Sequence, residues 1–285
     1  MRVLICGVRG STPAPGVEFA RYGGHTSCIA IAHDDDPPRL VLDAGTGIRR
    51  LTGLLGGAPF QGTIVLTHMH WDHLQGLPFF AAADRPGAHV TVAVPVQPSA
   101  TWGDGAERTV AKMMSPPHFP IDPAGLNGDW RFVDLDEGPH HIEDLSVLAL
   151  EIPHKGGRTF GYRISDGVST IAYVPDHSPV AFGDGPDGLG TVHPAIRALA
   201  ADVDLLLHDA QHVRDEFARL RGFGHATVEY AVDLARTCDV RRLLLFHHSP
   251  GRTDTELDAI IRTNRAACSG RVGAAIETTT IDLRR

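Results

Sequence analysis

The chain has little cysteine, little aromatic residue and no excess of basic charge, and each shortage closes a route. Cys6, Cys28, Cys238 and Cys268 are far apart and form no Cys-x-x-Cys pair, so neither a disulfide framework nor a zinc-finger spacing organises the fold. Reduced structural thiols are the expectation. Only 26 Lys and Arg stand against 34 Asp and Glu, a net charge of −8 with histidine neutral, which argues against a general binder of phosphate backbones. No stretch approaches 18 uninterrupted apolar residues, and the run Met1 to Gly10 lacks the apolar core and cleavage site of an export signal. A soluble, cytoplasmic protein with no membrane partner is expected. No Gly-x-Gly-x-x-Gly opens a helix after the first strand, and no His-Glu-x-x-His occurs, so dinucleotide-binding and zincin chemistry have no motif to rest on.

What the sequence does have is a hydrophobic fraction of 42% over 285 residues, enough for a large core without staples, and 17 histidines. A metal, if bound, therefore serves chemistry rather than folding. Periodicity predicts short strands over Val3 to Val8, Cys28 to Ala32, Leu40 to Leu42 and Thr63 to Leu66, with a helix over Ile48 to Leu55. Pro95 to Gly128 is rich in Pro and Gly and reads as a helix inside an irregular flap. Later strands are expected near 131–133, 145–152, 160–164, 170–174, 205–207 and 243–246. Helices are expected over Thr227 to Thr237 and from the capping box Thr253-x-x-Glu256 to Ala267. Both halves run strands first, then helices with strands between them. This order predicts an α/β four-layer αββα sandwich, two mixed sheets face to face with helices outside, built as one domain over residues 1–285 with no linker.

The strongest local signal is Thr67-His68-Met69-His70-Trp71-Asp72-His73, placed directly after a buried strand. Four potential ligands, His68, His70, Asp72 and His73, fall within six residues. Imidazole and carboxylate at this density suit Zn²⁺, with Mn²⁺ or Fe²⁺ as alternatives, and two adjacent groups of ligands suit two divalent ions. His68-x-His70-x-Asp72-His73 after a strand resembles the signature of the metallo-β-lactamase superfamily, whose fold is the sandwich just inferred. The resemblance covers nearly the whole chain and is greatest to the branch containing tRNase Z and phosphodiesterases. It extends to the loop Gly10-Ser11-Thr12-Pro13 and to Asp43, which ends an early strand.

That resemblance implies further site residues. His154 matches the third histidine for the first ion, Asp176 the carboxylate that bridges both ions, and His247 the last histidine, for the second ion; motif register favours His247 over its neighbour His248. Asp209 and His225 match the tRNase Z segments that supply an acidic residue and the catalytic histidine it supports, with Asp209 where a glutamate is usual and Ala226 where a serine is usual. An imidazole beside a carboxylate has its protonated form stabilised, which suits a general acid for an alkoxide leaving group. The implied activity is hydrolysis of a small cyclic or linear phosphodiester by water activated at the two ions. In this scheme Asp72 orients the water and Asp209 with His225 forms the acid dyad. The alternatives are a carboxylic ester, thioester or lactone hydrolase of the same fold, and a tRNase Z-like endoribonuclease. Structured RNA is disfavoured as a partner because Pro95 to Gly128 carries only Arg108 and Lys112 as Lys or Arg. A small-molecule substrate is expected, and the sequence leaves homo-oligomers open.

Overall fold

The computed structural model describes residues 1–98, 105–265 and 271–284. Cys268 and Ala267, the expected end of the last helix, lie outside them. The described residues build two seven-stranded sheets. The first contains β1 (Arg2–Gly7), β2 (Cys28–Ala32), β3 (Leu40–Leu42), β4 (Gln61–Val65), β5 (His89–Pro95), β6 (Asp129–Leu135) and β14 (Thr280–Asp282), in the order β14-β1-β2-β3-β4-β5-β6. The second contains β7 (Gly138–Ile142), β8 (Leu145–Glu151), β9 (Phe160–Ser165), β10 (Thr170–Val174), β11 (Leu205–Asp209), β12 (Leu243–Phe246) and β13 (Val272–Ala274), in the order β13-β12-β11-β10-β9-β8-β7. Each sheet is antiparallel at one end and parallel at the other: β3 to β6 run parallel, as do β10 to β13.

Alternation along the strands makes the layers. Val3, Ile5, Leu205 and Leu207 join the core between the sheets, while Leu4 and Cys6 join the core on the outer side of the first sheet and Leu206 that on the outer side of the second. Strands buried on both faces read as continuous apolar runs, which is why 205–207 and 243–246 were legible. Over the outer face of the second sheet lie α4 (Pro194–Ala200), α6 (Val228–Thr237) and α7 (Asp254–Asn264). Thr227 Oγ1 caps α6 by accepting from the Tyr230 N–H at 3.1 Å, and Thr253 with Glu256 closes a capping box on α7. The first sheet's outer core takes in short helices α1 (Leu51–Leu54), α2 (Trp71–Leu74) and α3 (Ala106–Ala111); α5 (Arg214–Leu220) completes the described helices.

The expected helix over 48–55 is a 3₁₀ turn, Thr46–Arg50, running into α1. Gly47 packs against Cys6 and Gly7, where a Cβ would lie 2.6 Å from the Cys6 carbonyl, so the turn is set by close approach to β1 rather than by helix propensity. β5, β7, β13 and β14 were not foreseen. β7, Gly-Pro-His-His-Ile, is a half-exposed edge with no apolar alternation to read.

Arg9 sits at the seam of the sheets with no exposed surface. Its Nε donates to the Gly23 carbonyl at 2.7 Å and its Nη1 to the carbonyls of Ser249 and Arg252 at 3.1 and 2.7 Å, with Asp254 3.9 Å away. Arg9→Met should therefore destabilise the fold by about 3 kcal/mol or more, since the Gly23, Ser249 and Arg252 carbonyls lose their guanidinium donor and Asp254 loses a nearby cation. Denaturant titration checks this; a loss under 1 kcal/mol would show the arginine to be dispensable packing.

Candidate metal centre

Parallel strands deliver the site residues to one rim. His68 follows β4, Asp43 follows β3, Asp176 follows β10, Asp209 closes β11 and His247 follows β12, all at carboxyl ends, where α/β sheets hold ligands. His154 arrives from the end of β8. Two of these residues leave their strands in the left-handed region, Asp43 at φ 60° and His247 at φ 57°, a conformation that Asp and His tolerate better than branched residues.

The side chains converge on Asp176, which is buried and faces two ways. Its Oδ1 lies 3.5 Å from His154 Nε2 and 4.0 Å from His68 Nε2, and His70 Nδ1 is 3.3 Å from His154 Nε2. Its Oδ2 lies 2.9 Å from His73 Nε2 and 3.3 Å from His247 Nε2, with Asp72 Oδ2 3.0 Å from His247 Nε2 and 3.3 Å from His73 Nε2. The structure thus brings together all seven residues expected as ligands: His68, His70, His154 and Asp176 form one group, Asp72, His73 and His247 a second, and Asp176 and His247 also group with His225. His247 is in the cluster, whereas His248 Nε2 turns to the Ala275 carbonyl at 3.0 Å. His68 Nε2 is buried without a hydrogen-bond partner, its nearest carboxylate oxygen 4.0 Å away, and Asp176 Oδ2 has only imidazole nitrogens around it. A buried orphan of this kind, in a set of imidazoles and carboxylates, fits divalent metal ions.

Outer partners fix the rings. His154 Nδ1 lies 2.9 Å from the Gly224 carbonyl and so carries the proton, leaving Nε2 a free electron pair. Asp43 Oδ2 lies 2.7 Å from His73 Nδ1 and accepts from the Tyr173 hydroxyl at 2.9 Å, and Asp43 Oδ1 accepts from the Thr67 N–H at 2.7 Å. Thr67 Oγ1 touches both Asp43 and His68 Nδ1, at 2.9 and 3.0 Å. Tyr173 and Gln211, whose amide lies 3.2 Å from His247 Nδ1, were missed, and nothing in their local sequence marks them; Thr67 heads the ligand run but was given no role of its own. Gly10 is required by contact, since a Cβ there would lie 2.4 Å from both His247 Nδ1 and the Gln211 amide. The next residue's backbone N–H, at Ser11, donates to Asp72 Oδ2 at 2.6 Å.

Charge in the pocket is ordered the same way. Burial holds His68 well below its ordinary pKa and His154 down at about 4, so both are neutral ligands near pH 7. Burial pushes the Asp72 carboxyl up, but His73 and His247 beside it hold it well below the usual range. Burial likewise lowers His73, yet Asp176, Asp72 and Asp43 outweigh it and hold the ring well above its usual value, so loading of an ion must displace a proton there.

Beside the cluster, His225 Nδ1 lies 3.1 Å from Asp209 Oδ2 and 3.6 Å from Asp176 Oδ1. Burial lowers His225, but Asp209 and then Asp176 raise it to about 9. Asp209 reaches the ring with a side chain shorter than glutamate. It is held by the backbone N–H groups of His177 and Ala226 on Oδ2, at 3.0 and 3.2 Å, and of Gln211 on Oδ1 at 3.1 Å. A cleft of about 460 Å³, lined by Ser11, Met69, His70, Trp71, Asp72, Asp176 and His225, opens the site to solvent. No helix among the described residues is long and apolar enough to cross a membrane.

Residues 38–248 match the model of a beta-lactamase superfamily domain. Over 284 aligned residues the chain is 26% identical to the Ribonuclease Z of Natronomonas pharaonis, covering 87% of each protein. Among solved structures, the metallo-beta-lactamase fold protein YhfI from Bacillus subtilis superposes with a TM-score of 0.70 at 18% identity over 99% of both chains. A diphosphatase from the PhnP family superposes at 0.67, with 15% identity over 99% of this chain and 98% of the other.

Proposed function

Because the chain belongs to the beta-lactamase superfamily, we propose that it is a binuclear metal-dependent phosphodiesterase acting on a small diester, one hydrolase domain over residues 1–285. The observation that carries this reading is His225, its Nδ1 held 3.1 Å from Asp209 Oδ2 on the rim of a two-sided carboxylate cluster. His68, His70 and His154 with Asp176 Oδ1 would hold one ion, and Asp72, His73 and His247 with Asp176 Oδ2 the other; Zn²⁺ suits the set, and Mn²⁺ or Fe²⁺ are the alternatives. When bound, such ions lower the pKa of a coordinated water toward neutrality and neutralise phosphate oxygens. Asp72, fixed by the Ser11 N–H, would orient the attacking water by accepting its proton-bearing edge. His225, protonated at neutral pH, would donate to the departing oxygen, and Asp209 would keep the ring in place and favour its charged form. An acid so placed has work to do when the leaving group is an alkoxide, which distinguishes a diester from an activated thioester.

The similarity to a protein named Ribonuclease Z supports a second reading, a tRNase Z-like endoribonuclease, against which stand the net charge of −8 and the paucity of Lys and Arg in 95–128. The test is a hydrolysis screen of purified, metal-loaded protein across cyclic nucleotides, linear diesters, lactones, thioesters and a precursor tRNA. Turnover of small diesters at least about tenfold above the other classes in kcat/KM is expected, a difference of about 1.4 kcal/mol in transition-state binding. Preference for lactones or thioesters would overturn the reading, and cleavage of precursor tRNA alone would replace it with the second.

A further inference from the structure

Two large apolar side chains stand exposed beside the metal centre. Trp71, between His70 and Asp72 in sequence, is 75% exposed although Asp72 and His73 after it are buried, and Phe79 is 56% exposed. A cavity of about 440 Å³ separates them from the segment that follows α3, with Met113 and Phe119 on its walls. Phe79 and Phe119 meet edge to face with centroids 5.8 Å apart, so each presents a ring face or edge toward a guest. Ala106 and Val110 of α3 anchor this segment in the outer core, and Met113 packs against that core, so the far wall is seated rather than free. Trp71 lines both this cavity and the cleft that holds Asp72, Asp176 and His225, so the two spaces are neighbours. The lining also includes the half-buried Gln75 and the exposed His118 and Lys112, polar groups that can engage the edge of a heteroaromatic ring.

We propose that this cavity is the seat of a flat, polar-edged ring, so that the diester held at the metal centre carries a nucleobase as part of a small nucleotide; the inference rests on the phosphodiesterase reading. The phosphate sits at the Asp176 cluster, Trp71 forms the shared wall, and the base lies against Trp71 and the contacting Phe79–Phe119 pair. Stacking of a base on aromatic side chains tolerates different bases, so the seat selects for a ring more than for one base.

Calorimetric titration of metal-loaded protein tests the seat without requiring turnover. Adenosine 5′-monophosphate should bind at least about tenfold more tightly than ribose 5-phosphate, which has the same phosphate and sugar but no base. Phe119→Ala should collapse that ratio toward one, and Phe119→Trp, which keeps a ring, should preserve most of it. The ratio is insensitive to partial unfolding or partial metal loss, because both would weaken the two ligands alike. Equal binding of the two ligands by the wild type would overturn the seat while leaving the phosphodiesterase reading to its own screen. Hexyl phosphate binding as tightly as the nucleotide would show an aliphatic pocket instead. An oligoribonucleotide binding more than about tenfold tighter than the mononucleotide would overturn the assignment to a small substrate.

Discussion

Asp176→Asn is expected to leave the protein folded but with fewer than two ions per chain and with turnover lowered about 10³-fold or more, the several kcal/mol that Lewis-acid and nucleophile activation supply. The reason is the position of one carboxylate between two groups of imidazoles. Oδ1 faces His154 and His68, and Oδ2 faces His73 and His247. Asparagine keeps the shape and removes the charge, and one of its two faces becomes a donor that cannot ligate a cation. A residue that merely filled space would tolerate this exchange; a shared ligand would not. Metal content by plasma emission separates the two, and a variant retaining two ions with wild-type turnover would sink the shared role. Chelation supplies a second readout. Ions that bind only the folded chain stabilise it by mass action, so removing them from the wild type should lower Tm, and the gap between loaded and chelated protein should shrink in Asp176→Asn.

The ease with which this site could be read from the sequence varies with how local its information is. His68, His70, Asp72 and His73 lie within one turn of chain after an apolar strand, and their crowding alone signals ligands. His154, Asp176 and His247 are single polar residues after strands, and only family likeness distinguished them from ordinary loop residues. The choice between His247 and His248 turns on a backbone angle: the left-handed His247 swings its ring into the cluster, and its neighbour is left to hydrogen-bond Ala275. No pattern in the letters carries that angle. Tyr173 is hidden for a different reason. It reads as one more large residue in a buried strand, yet its hydroxyl, on the face between the sheets, reaches Asp43 and through it His73. The fold was more legible than its edges. Doubly buried strands such as β11 and β12 announce themselves by composition, whereas β7 and β14 are formed by pairing with a neighbour and have little apolar pattern of their own.

His225→Ala should lower kcat/KM about 10²- to 10⁴-fold for a diester that expels an alkoxide, and less than about tenfold for one that expels p-nitrophenolate. The difference follows from what the ring is proposed to do. An alkoxide is a strong base and cannot depart without a proton, whereas p-nitrophenolate leaves unaided. A histidine acting only as a ligand or a spacer would depress both reactions by the same factor, so the leaving-group dependence is the measurement that decides. The pH profile adds a sign. Asp209 and Asp176 overcome burial and hold His225 at about 9, so the acid form prevails at neutral pH and is lost as pH rises through that value. Wild-type turnover of the alkoxide ester should therefore fall on an alkaline limb as His225 loses its proton, and that limb should be missing in His225→Ala. Asp209→Asn is not a mild control here. Both Asp209 oxygens accept N–H groups, from His177, Ala226 and His225 on one and Gln211 on the other, so an amide nitrogen must face a donor whichever way it turns. The variant should lose folding stability by about 1–3 kcal/mol along with activity, and Asp209→Glu, which keeps two acceptors, should retain more of both. Equal losses for the two ester types in His225→Ala would overturn the acid role and leave the ring a positioning residue of the cluster.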